Sequence, residues 1–168
     1  MENVDCSKLE IIKADKDMLS SIEFDCGDED LNGFLLEDYV LNIDNSVSKI
    51  YLCLYDDNVI GFFSLSADAI KINEKLEIEY PAYPAVKIGR LAVHRDYQHM
   101  RIGSILIDWI VGFCLELRKD IGIRFLSVDA YNQEGILSFY KKNLFEALQP
   151  NKNKNRINMP MYRDLCKK

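Results

Sequence analysis

The segment from Val86 to Ser104 constrains the fold of this chain more than any other. It begins with a β-branched and apolar run, Val-Lys-Ile-Gly-Arg-Leu-Ala-Val, which is typical of a strand ending at Val93. A short polar stretch follows, and apolar residues from Ile102 onward recur at helical spacing. Because the first turn of a helix has backbone N–H groups without intrahelical acceptors, this strand–loop–helix unit predicts a site for an anion such as a pyrophosphate.

The remaining elements follow from the same periodicities. Strands are predicted near residues 9–13, 50–55, 59–65, 86–93, 123–129, 144–148 and 158–162, and helices near 28–43, 102–118 and 133–142, with a proline-containing loop at 74–84. Strands outnumber helices in this order, which predicts an α/β (α+β) fold with one mixed sheet covered by helices. With 168 residues and neither repeats nor a linker, the chain is expected to form one domain over residues 1–168.

Composition excludes several classes of protein. Hydrophobic residues make up 48% of the chain, and no apolar run approaches the roughly 20 residues that span a bilayer, so no membrane association is expected. The start, Met1–Asp5, lacks the basic and apolar regions of a signal peptide, which predicts a cytoplasmic location. Five scattered cysteines and two histidines are poor material for a metal site, and Cys53 and Cys114 are predicted to be buried apolar residues.

Charge is distributed unevenly along the chain. The net charge of −6 argues against wholesale binding to nucleic acid, which requires a basic face. From Lys141 to the end, however, eight lysines and arginines stand against Glu146 and Asp164. This distribution is compatible with a local anion site, and the stretch from Asn151 to Asn155 is expected to be a solvated, poorly ordered loop.

Three motifs between residues 86 and 145 resemble the GCN5-related N-acetyltransferases, the GNAT family. The family pattern Gln/Arg-x-x-Gly-x-Gly/Ala fits at Gln98 and Gly103. Gly89–Val93 resembles the family's central strand, and Ser138–Phe145 resembles its C-terminal Phe-Tyr-Glu-Lys-x-Gly-Phe segment. The three motifs stand in the order and at the spacing that the family shows, and by this resemblance the chain is identified as a member of the family.

Two positions depart from the family pattern. Arg101 and Leu144 stand where the family has glycine, a residue that tolerates left-handed backbone conformations. Arg101 must therefore either adopt an ordinary backbone conformation or be strained. Its guanidinium could bind a phosphate through two parallel hydrogen bonds.

The resemblance implies a mixed, twisted, mostly antiparallel sheet with flanking helices, and acetyl transfer from acetyl-CoA to an amine without a metal. Tyr140 would be the general acid that protonates the departing thiolate, a role worth roughly 10²–10⁴-fold in rate. A backbone N–H of Ala92 or Val93 would stabilise the oxyanion, and His94 could act as a base. The residues implied in acetyl-CoA binding are Leu91, Ala92, Val93, Gln98, His99, Met100, Arg101, Ile102, Gly103, Ser104 and Asn132.

A longer likeness extends over residues 20–145. Phe24–Phe34, Asn58–Leu65 and Gly89–Ala92 resemble the branch of the family that contains toxins of bacterial toxin–antitoxin pairs. The resemblance implies acetylation of the free amine of aminoacyl-tRNA. Toxins of that branch are typically basic, so the acidic balance of this chain disfavours tRNA as its acceptor.

Three functions agree with these features. The main expectation is acetylation of a primary amine, on a small molecule or a peptide, by direct attack on the thioester. A toxin acting on aminoacyl-tRNA is the first alternative, and it would need a basic patch from Lys141, Lys142, Lys152, Lys154 and Arg156. The second alternative is a catalytically silent acyl-CoA-binding module. This alternative stays open because Arg101 and Leu144 replace two glycines of the family pattern. The resemblance is also compatible with a homodimer.

Overall fold

The computed structural model describes residues 4–72 and 76–167, so the predicted loop at 74–84 and the first residues of the chain lie partly outside the described residues. The described strands are β1 (Leu9–Lys13), β2 (Lys49–Tyr55), β3 (Asn58–Ile70), β4 (Tyr83–Val93), β5 (Phe125–Tyr131), β6 (Glu146–Ala147) and β7 (Asn158–Asp164). The described helices are α1 (Lys16–Leu19), α2 (Glu29–Gly33), α3 (Tyr39–Asp44), α4 (Ile102–Leu117), α5 (Glu134–Lys142) and α6 (Pro150–Asn153). Short 3-10 turns occupy Cys6–Lys8 and Arg95–Tyr97, and a π-helical turn occupies Phe34–Asp38.

The strands form a single sheet in the order β1-β2-β3-β4-β5-β7-β6. Strand β1 pairs with β2, β2 with β3, β5 with β7 and β6 with β7 in antiparallel fashion. Strands β4 and β5 run parallel. The predicted mixed, mostly antiparallel sheet with flanking helices is therefore confirmed.

Residue contacts divide the chain into two compact units. The first comprises the described residues up to Ser66 together with Gly89–Leu106. Aromatic rings dominate its core, where Phe62 lies 5.4 Å from Phe24 in an edge-to-face arrangement and 6.1 Å from Phe34 in a stacked one. Because large rings bury much apolar area, these contacts hold the segment that leads into α2 and the π-helical turn against β3.

The second unit comprises Ala67–Ile88 and the described residues from Ile107 onward. Its core also depends on edge-to-face aromatic contacts, since Phe125 on β5 lies 5.8 Å from Tyr83 and 5.5 Å from Tyr162. The single domain expected over residues 1–168 stays a prediction. Across the described part of the chain, no helix combines the length and the apolar character needed to cross a membrane.

The predicted helix at 28–43 is confirmed with one irregularity. Asp28 caps its start, because its carboxylate accepts a hydrogen bond from the Leu31 N–H at 3.0 Å. The π-helical turn Phe34–Asp38 separates α2 from α3. Hydrophobic spacing does not predict this turn, because Leu31, Leu35, Tyr39 and Ile43 recur every four residues, an interval that is also typical of an ordinary α-helix.

Two predictions near the C-terminus differ from the structure. The strand predicted at 144–148 shrinks to β6, because Leu144 takes a left-handed conformation with φ of 65° and the Phe145 N–H donates to the Tyr140 carbonyl at 3.0 Å. The prediction of a loop at 151–155 is wrong for residues 151–153, which belong to α6. The buried side-chain amide of Asn153 donates to the carbonyl of Leu148 at 2.8 Å and thereby orders this stretch.

Candidate active site

The end of β4 lies close to β3 because a glycine leaves room for it. A Cβ atom at Gly61 would lie 3.1 Å from the carbonyl oxygen of Ala92 and 3.3 Å from Leu106 Cδ1. The His94 N–H also donates to the carbonyl of Ile60 at 2.8 Å. Leu91–Val93, the residues implied in binding the acyl arm and the oxyanion, therefore occupy a closely packed strand end, with Ala92 buried.

A 3-10 turn connects β4 to the loop predicted to bind pyrophosphate, which we call the 98–104 loop. His94 Nδ1 accepts a hydrogen bond from the Asp96 N–H at 3.3 Å, and its ring lies 5.8 Å from that of Phe24. Because the backbone occupies Nδ1, a base at His94 would have to use its other ring nitrogen, Nε2. His94 serves in this structure as the cap of the 3-10 turn.

The backbone of the 98–104 loop is strained at two residues. His99 and Arg101 have φ of 65° and 67°, a left-handed conformation that non-glycine residues rarely adopt. Both side chains are exposed. The sequence left open whether Arg101 has an ordinary or a strained backbone conformation. The structure shows the strained one, because Arg101 keeps the conformation that suits a glycine.

The same loop presents unpaired backbone donors. The Ile105 N–H donates to the Arg101 carbonyl at 3.1 Å, so Arg101 is the residue that precedes α4 and its carbonyl accepts the first hydrogen bond of the helix. In the stretch that the structure describes, the N–H groups of residues 99–104 have no backbone acceptor. Successive N–H groups beside left-handed residues form concave anion sites, and the dipole of a 16-residue helix adds to that attraction.

The members of the loop differ in what they can offer a ligand. Ile102 is 1% exposed, so its side chain packs in the core and its backbone N–H is the group that could meet a phosphate. Gly103 and Ser104 lie in the first turn of α4, and Met100 is half-buried just before it. Gln98 uses both hydrogens of its side-chain amide within the protein, donating to the carbonyls of Cys26 at 2.8 Å and Val93 at 3.0 Å.

Tyr140 belongs to the second unit and lies on α5. It is 6% exposed, and its ring lies 5.1 Å from that of Phe139 and 5.2 Å from that of Phe145. Burial raises the pKa of Tyr140 well above its ordinary value. The hydroxyl is therefore protonated at neutral pH, which is the state that a proton donor requires.

Asn132, in the connection between β5 and α5, makes contacts that the sequence does not predict. Its side-chain amide donates to the carbonyls of Lys154 at 2.9 Å and Arg156 at 3.0 Å, and its backbone N–H donates to the carbonyl of Ile157 at 2.8 Å. Both amide hydrogens thus hold the stretch of residues 152–156, which we call the basic segment. These hydrogens are not available to the CoA arm, for which Asn132 was predicted.

Sequence reasoning missed one group of polar residues in the first unit. Asp25, interpreted only as part of a turn, forms an ion pair with Arg95 and accepts hydrogen bonds from the Gly27 N–H at 2.8 Å and the Asn32 amide at 3.0 Å. Arg95 is the largest cause that lowers the pKa of Asp25 to about 2. The signal that could have found this group is its place in the Phe-Asp-Cys-Gly stretch shared with the toxin-like branch.

The two cysteines that were predicted to be buried, Cys53 and Cys114, are buried. Cys53 and Cys114 are fully buried, and burial raises the pKa of each thiol to about 11. A thiol with a raised pKa is a poor nucleophile at neutral pH. Over residues 4–72 and 76–167, no three His, Cys, Asp or Glu side chains are grouped so as to hold a metal ion.

Comparison with known proteins identifies a family and several relatives. Residues 13–144 match the model of the Acetyltransferase (GNAT) family. The chain is 27% identical over 127 residues to the tRNA-acetylating toxin of Mycobacterium tuberculosis (strain ATCC 25618 / H37Rv), a match that covers 73% of this chain and 76% of the relative.

Two solved structures resemble the chain at 26% sequence identity. One is AtaT complexed with acetyl-methionyl-tRNAfMet, with a TM-score of 0.76 over 90% of this chain and 93% of that chain. The other is a mutant AtaT toxin bound to the C-terminus of the antitoxin AtaR and acetyl-CoA, with a TM-score of 0.75 over 94% and 93% of the two chains.

Proposed function

This chain belongs to the GNAT family of acetyltransferases, which confirms the predicted enzyme class and its acyl donor, acetyl-CoA, and we propose that its acceptor is the α-amino group of an aminoacyl-tRNA. In this reaction the neutral amine attacks the thioester carbonyl, a C–N bond forms and the C–S bond breaks. The departing thiolate of CoA takes up one proton, and the amine gives one up to solvent. The products are N-acetyl-aminoacyl-tRNA and CoA.

The observation that carries this choice of acceptor is the likeness to proteins that act on charged tRNA. The Mycobacterium tuberculosis relative is a tRNA-acetylating toxin, and AtaT has been solved with acetyl-methionyl-tRNAfMet. Both matches extend over most of this chain. They favour the toxin-type alternative over the small-molecule or peptide acceptor that the net charge suggested.

Local charge supports the same acceptor. Between Ala147 and Arg163 the chain has no acidic residue. The side chains of Lys152, Lys154 and Arg156 are exposed on the basic segment. Because screening limits electrostatic attraction to about 8–10 Å at moderate salt, phosphates respond to such a local cluster more than to the sum over the chain.

We assign the 98–104 loop to the pyrophosphate of acetyl-CoA. The six unpaired N–H groups of residues 99–104 supply the donors, and the exposed Arg101 guanidinium adds a charged fork that a glycine lacks. Backbone N–H groups of Ala92 or Val93 would stabilise the oxyanion. Tyr140 would protonate the thiolate, since its hydroxyl carries a proton at neutral pH.

A protein partner follows from the same relatives. AtaT has been solved bound to the C-terminus of an antitoxin, and we expect this enzyme to be restrained by a protein of that kind. Acting on aminoacyl-tRNA would place it in the cytoplasm. A homodimer stays a prediction.

A labelled-acetyl assay across acceptor classes tests the proposal. The purified enzyme is incubated with acetyl-labelled acetyl-CoA and charged tRNA, uncharged tRNA, peptides with free N-termini, or polyamines. We expect base-releasable N-acetyl amino acid from charged tRNA alone, with the product lost in Tyr140→Phe and retained in Tyr83→Phe, which removes a hydroxyl bonded to the Ile78 carbonyl. Label on peptides or polyamines but not on tRNA would overturn this acceptor, and saturable acetyl-CoA binding without turnover would favour the silent module.

A further inference from the structure

The side chain of Gln98 links two segments that are distant in sequence. Its amide donates to the carbonyl of Cys26 at 2.8 Å and to that of Val93, at the end of β4, at 3.0 Å. A phosphate could recruit a hydrogen of this amide only if one of the two bonds were broken. The carbonyl concerned would then lose this donor, and that of Cys26 belongs to a buried residue.

The Cys26 carbonyl is itself held in a rigid turn, which we call the Asp25 turn (residues 24–28). Gly27 has φ of 85°, and the Asp25 carboxylate accepts a hydrogen bond from its N–H at 2.8 Å. Asn32, at the end of α2, donates to the same carboxylate at 3.0 Å and accepts from the Cys26 N–H at 3.0 Å. The acceptor that Gln98 uses is therefore fixed by the backbone and by a helix.

A second link joins the Asp25 turn to the segment that leads into the 98–104 loop. Arg95 forms an ion pair with the Asp25 carboxylate, and its backbone N–H donates to the Asp25 carbonyl at 2.9 Å. The Gln98 N–H in turn donates to the Arg95 carbonyl at 3.4 Å. Side-chain and backbone bonds thus connect the same two segments at two successive points.

We propose that Gln98 and Arg95 are positioning residues that hold the 98–104 loop in its acetyl-CoA-binding conformation before the ligand arrives, with the Asp25 turn as the fixed support. This inference rests on the proposed role of the loop in binding pyrophosphate. A loop with left-handed residues at 99 and 101 is unfavourable to form, and a fixed first residue removes part of that cost from binding. Their loss should therefore weaken binding of the phosphates and leave the acetyl-transfer step itself intact.

Two acyl donors separate this role from a general structural one. Acetyl-CoA carries the pyrophosphate, whereas S-acetyl-pantetheine has the same thioester and arm without it. Gln98→Met removes both amide bonds at similar length, and Gln133→Met is the matched control, because that glutamine side chain makes no capping hydrogen bond at the start of α5. We expect Gln98→Met to raise KM for acetyl-CoA about tenfold at nearly unchanged kcat, with kcat/KM for S-acetyl-pantetheine unchanged.

The possible results are distinguishable. Equal losses with both donors, or no loss with either, would overturn the positioning role. A wild-type enzyme that uses both donors equally well would overturn the phosphate role of the loop and this inference with it. If Gln98→Met does not fold, Arg95→Met provides the same comparison at an exposed side chain, and its thermal unfolding is measured alongside.

Discussion

Arg101 and Leu144 have the same left-handed backbone conformation, with φ of 67° and 65°, at the two positions where the family pattern has glycine. The fold has kept the glycine geometry in both places although the side chain has changed. A residue with a Cβ atom pays about 1–2 kcal/mol for this conformation. Both side chains are exposed, so burial does not offset the strain.

Leu144→Gly should stabilise the protein by about 1 kcal/mol, because relief of the strain exceeds the added flexibility of the unfolded chain. The side chain that is lost is 65% exposed and contributes little to the core. Urea unfolding monitored by circular dichroism measures the change in midpoint. Leu144→Ala, which keeps the Cβ atom, is the control, and an equal gain in that variant would show that strain is not the cause.

Arg101→Gly should separate stability from binding. The backbone would relax, which we expect to stabilise the fold by about 1 kcal/mol, while loss of the guanidinium should raise the Kd for acetyl-CoA roughly tenfold. Calorimetric titration with acetyl-CoA and thermal unfolding together test both effects. An unchanged or lower Kd would show that Arg101 does not contact the phosphates.

Tyr140→Phe should lower kcat by roughly 10²–10⁴-fold with little change in the KM for acetyl-CoA, since the hydroxyl acts on the leaving group. Burial raises the pKa of Tyr140, so the neutral hydroxyl persists when the pH rises. We therefore expect initial rates with the wild-type enzyme to show no decline between about pH 7 and pH 9 from loss of this proton. A variant as active as the wild type would remove Tyr140 from the mechanism.

Asp25→Asn should change how stability depends on acid. The native carboxyl has a pKa of about 2, below the 3.8 of an unfolded aspartate, so the unfolded chain binds the proton first as the pH falls. The stabilisation of the folded protein by the charged Asp25 carboxylate is therefore present above about pH 4 and is lost as the pH falls toward 2. Urea midpoints at several pH values should therefore converge for wild type and variant in acid. Asp108→Asn, at an exposed position on α4, is the control and should give parallel curves.

Replacing Lys152, Lys154 and Arg156 with glutamine should weaken tRNA binding and reduce the slope of log Kd against log salt by roughly 2. The cause is the loss of three cations from the basic segment. A triple variant with the same change in charge, at the exposed Lys13, Lys49 and Lys71, is the control. If both triple variants weakened tRNA binding equally, the overall charge of the protein, and not the position of the basic segment, would determine the affinity for tRNA.

The sequence predicted the strand–loop–helix unit and the mixed sheet because both depend on local periodicity. It did not predict what the side chains of Gln98 and Asn132 bind. Gln98 contacts Cys26, 72 positions away in sequence, and Asn132 contacts Lys154, 22 positions away. Such partners are set by tertiary packing, and the residue type of Gln98 or Asn132 does not reveal them.

The choice of acceptor shows a second limit. Net charge is a sum over the whole chain, and this sum disfavours tRNA as the acceptor. The relatives favour tRNA instead, and the basic residues that agree with it lie in one short segment that was expected to be disordered. Its order depends on the buried Asn153 and on the amide of Asn132. Asparagine in a polar stretch is read as a loop residue unless its partners are known.

The bonds made by Asn132 and Asn153 have a consequence for experiments with RNA. Each joins an uncharged amide to an uncharged carbonyl, and dissolved ions screen such dipolar contacts far less than they screen pairs of full charges. The basic segment should therefore keep one shape from dilute to concentrated buffer. The salt dependence of the Kd for tRNA would then report the number of counterions displaced from the nucleic acid, because the protein surface that displaces them keeps its structure over the same range of salt.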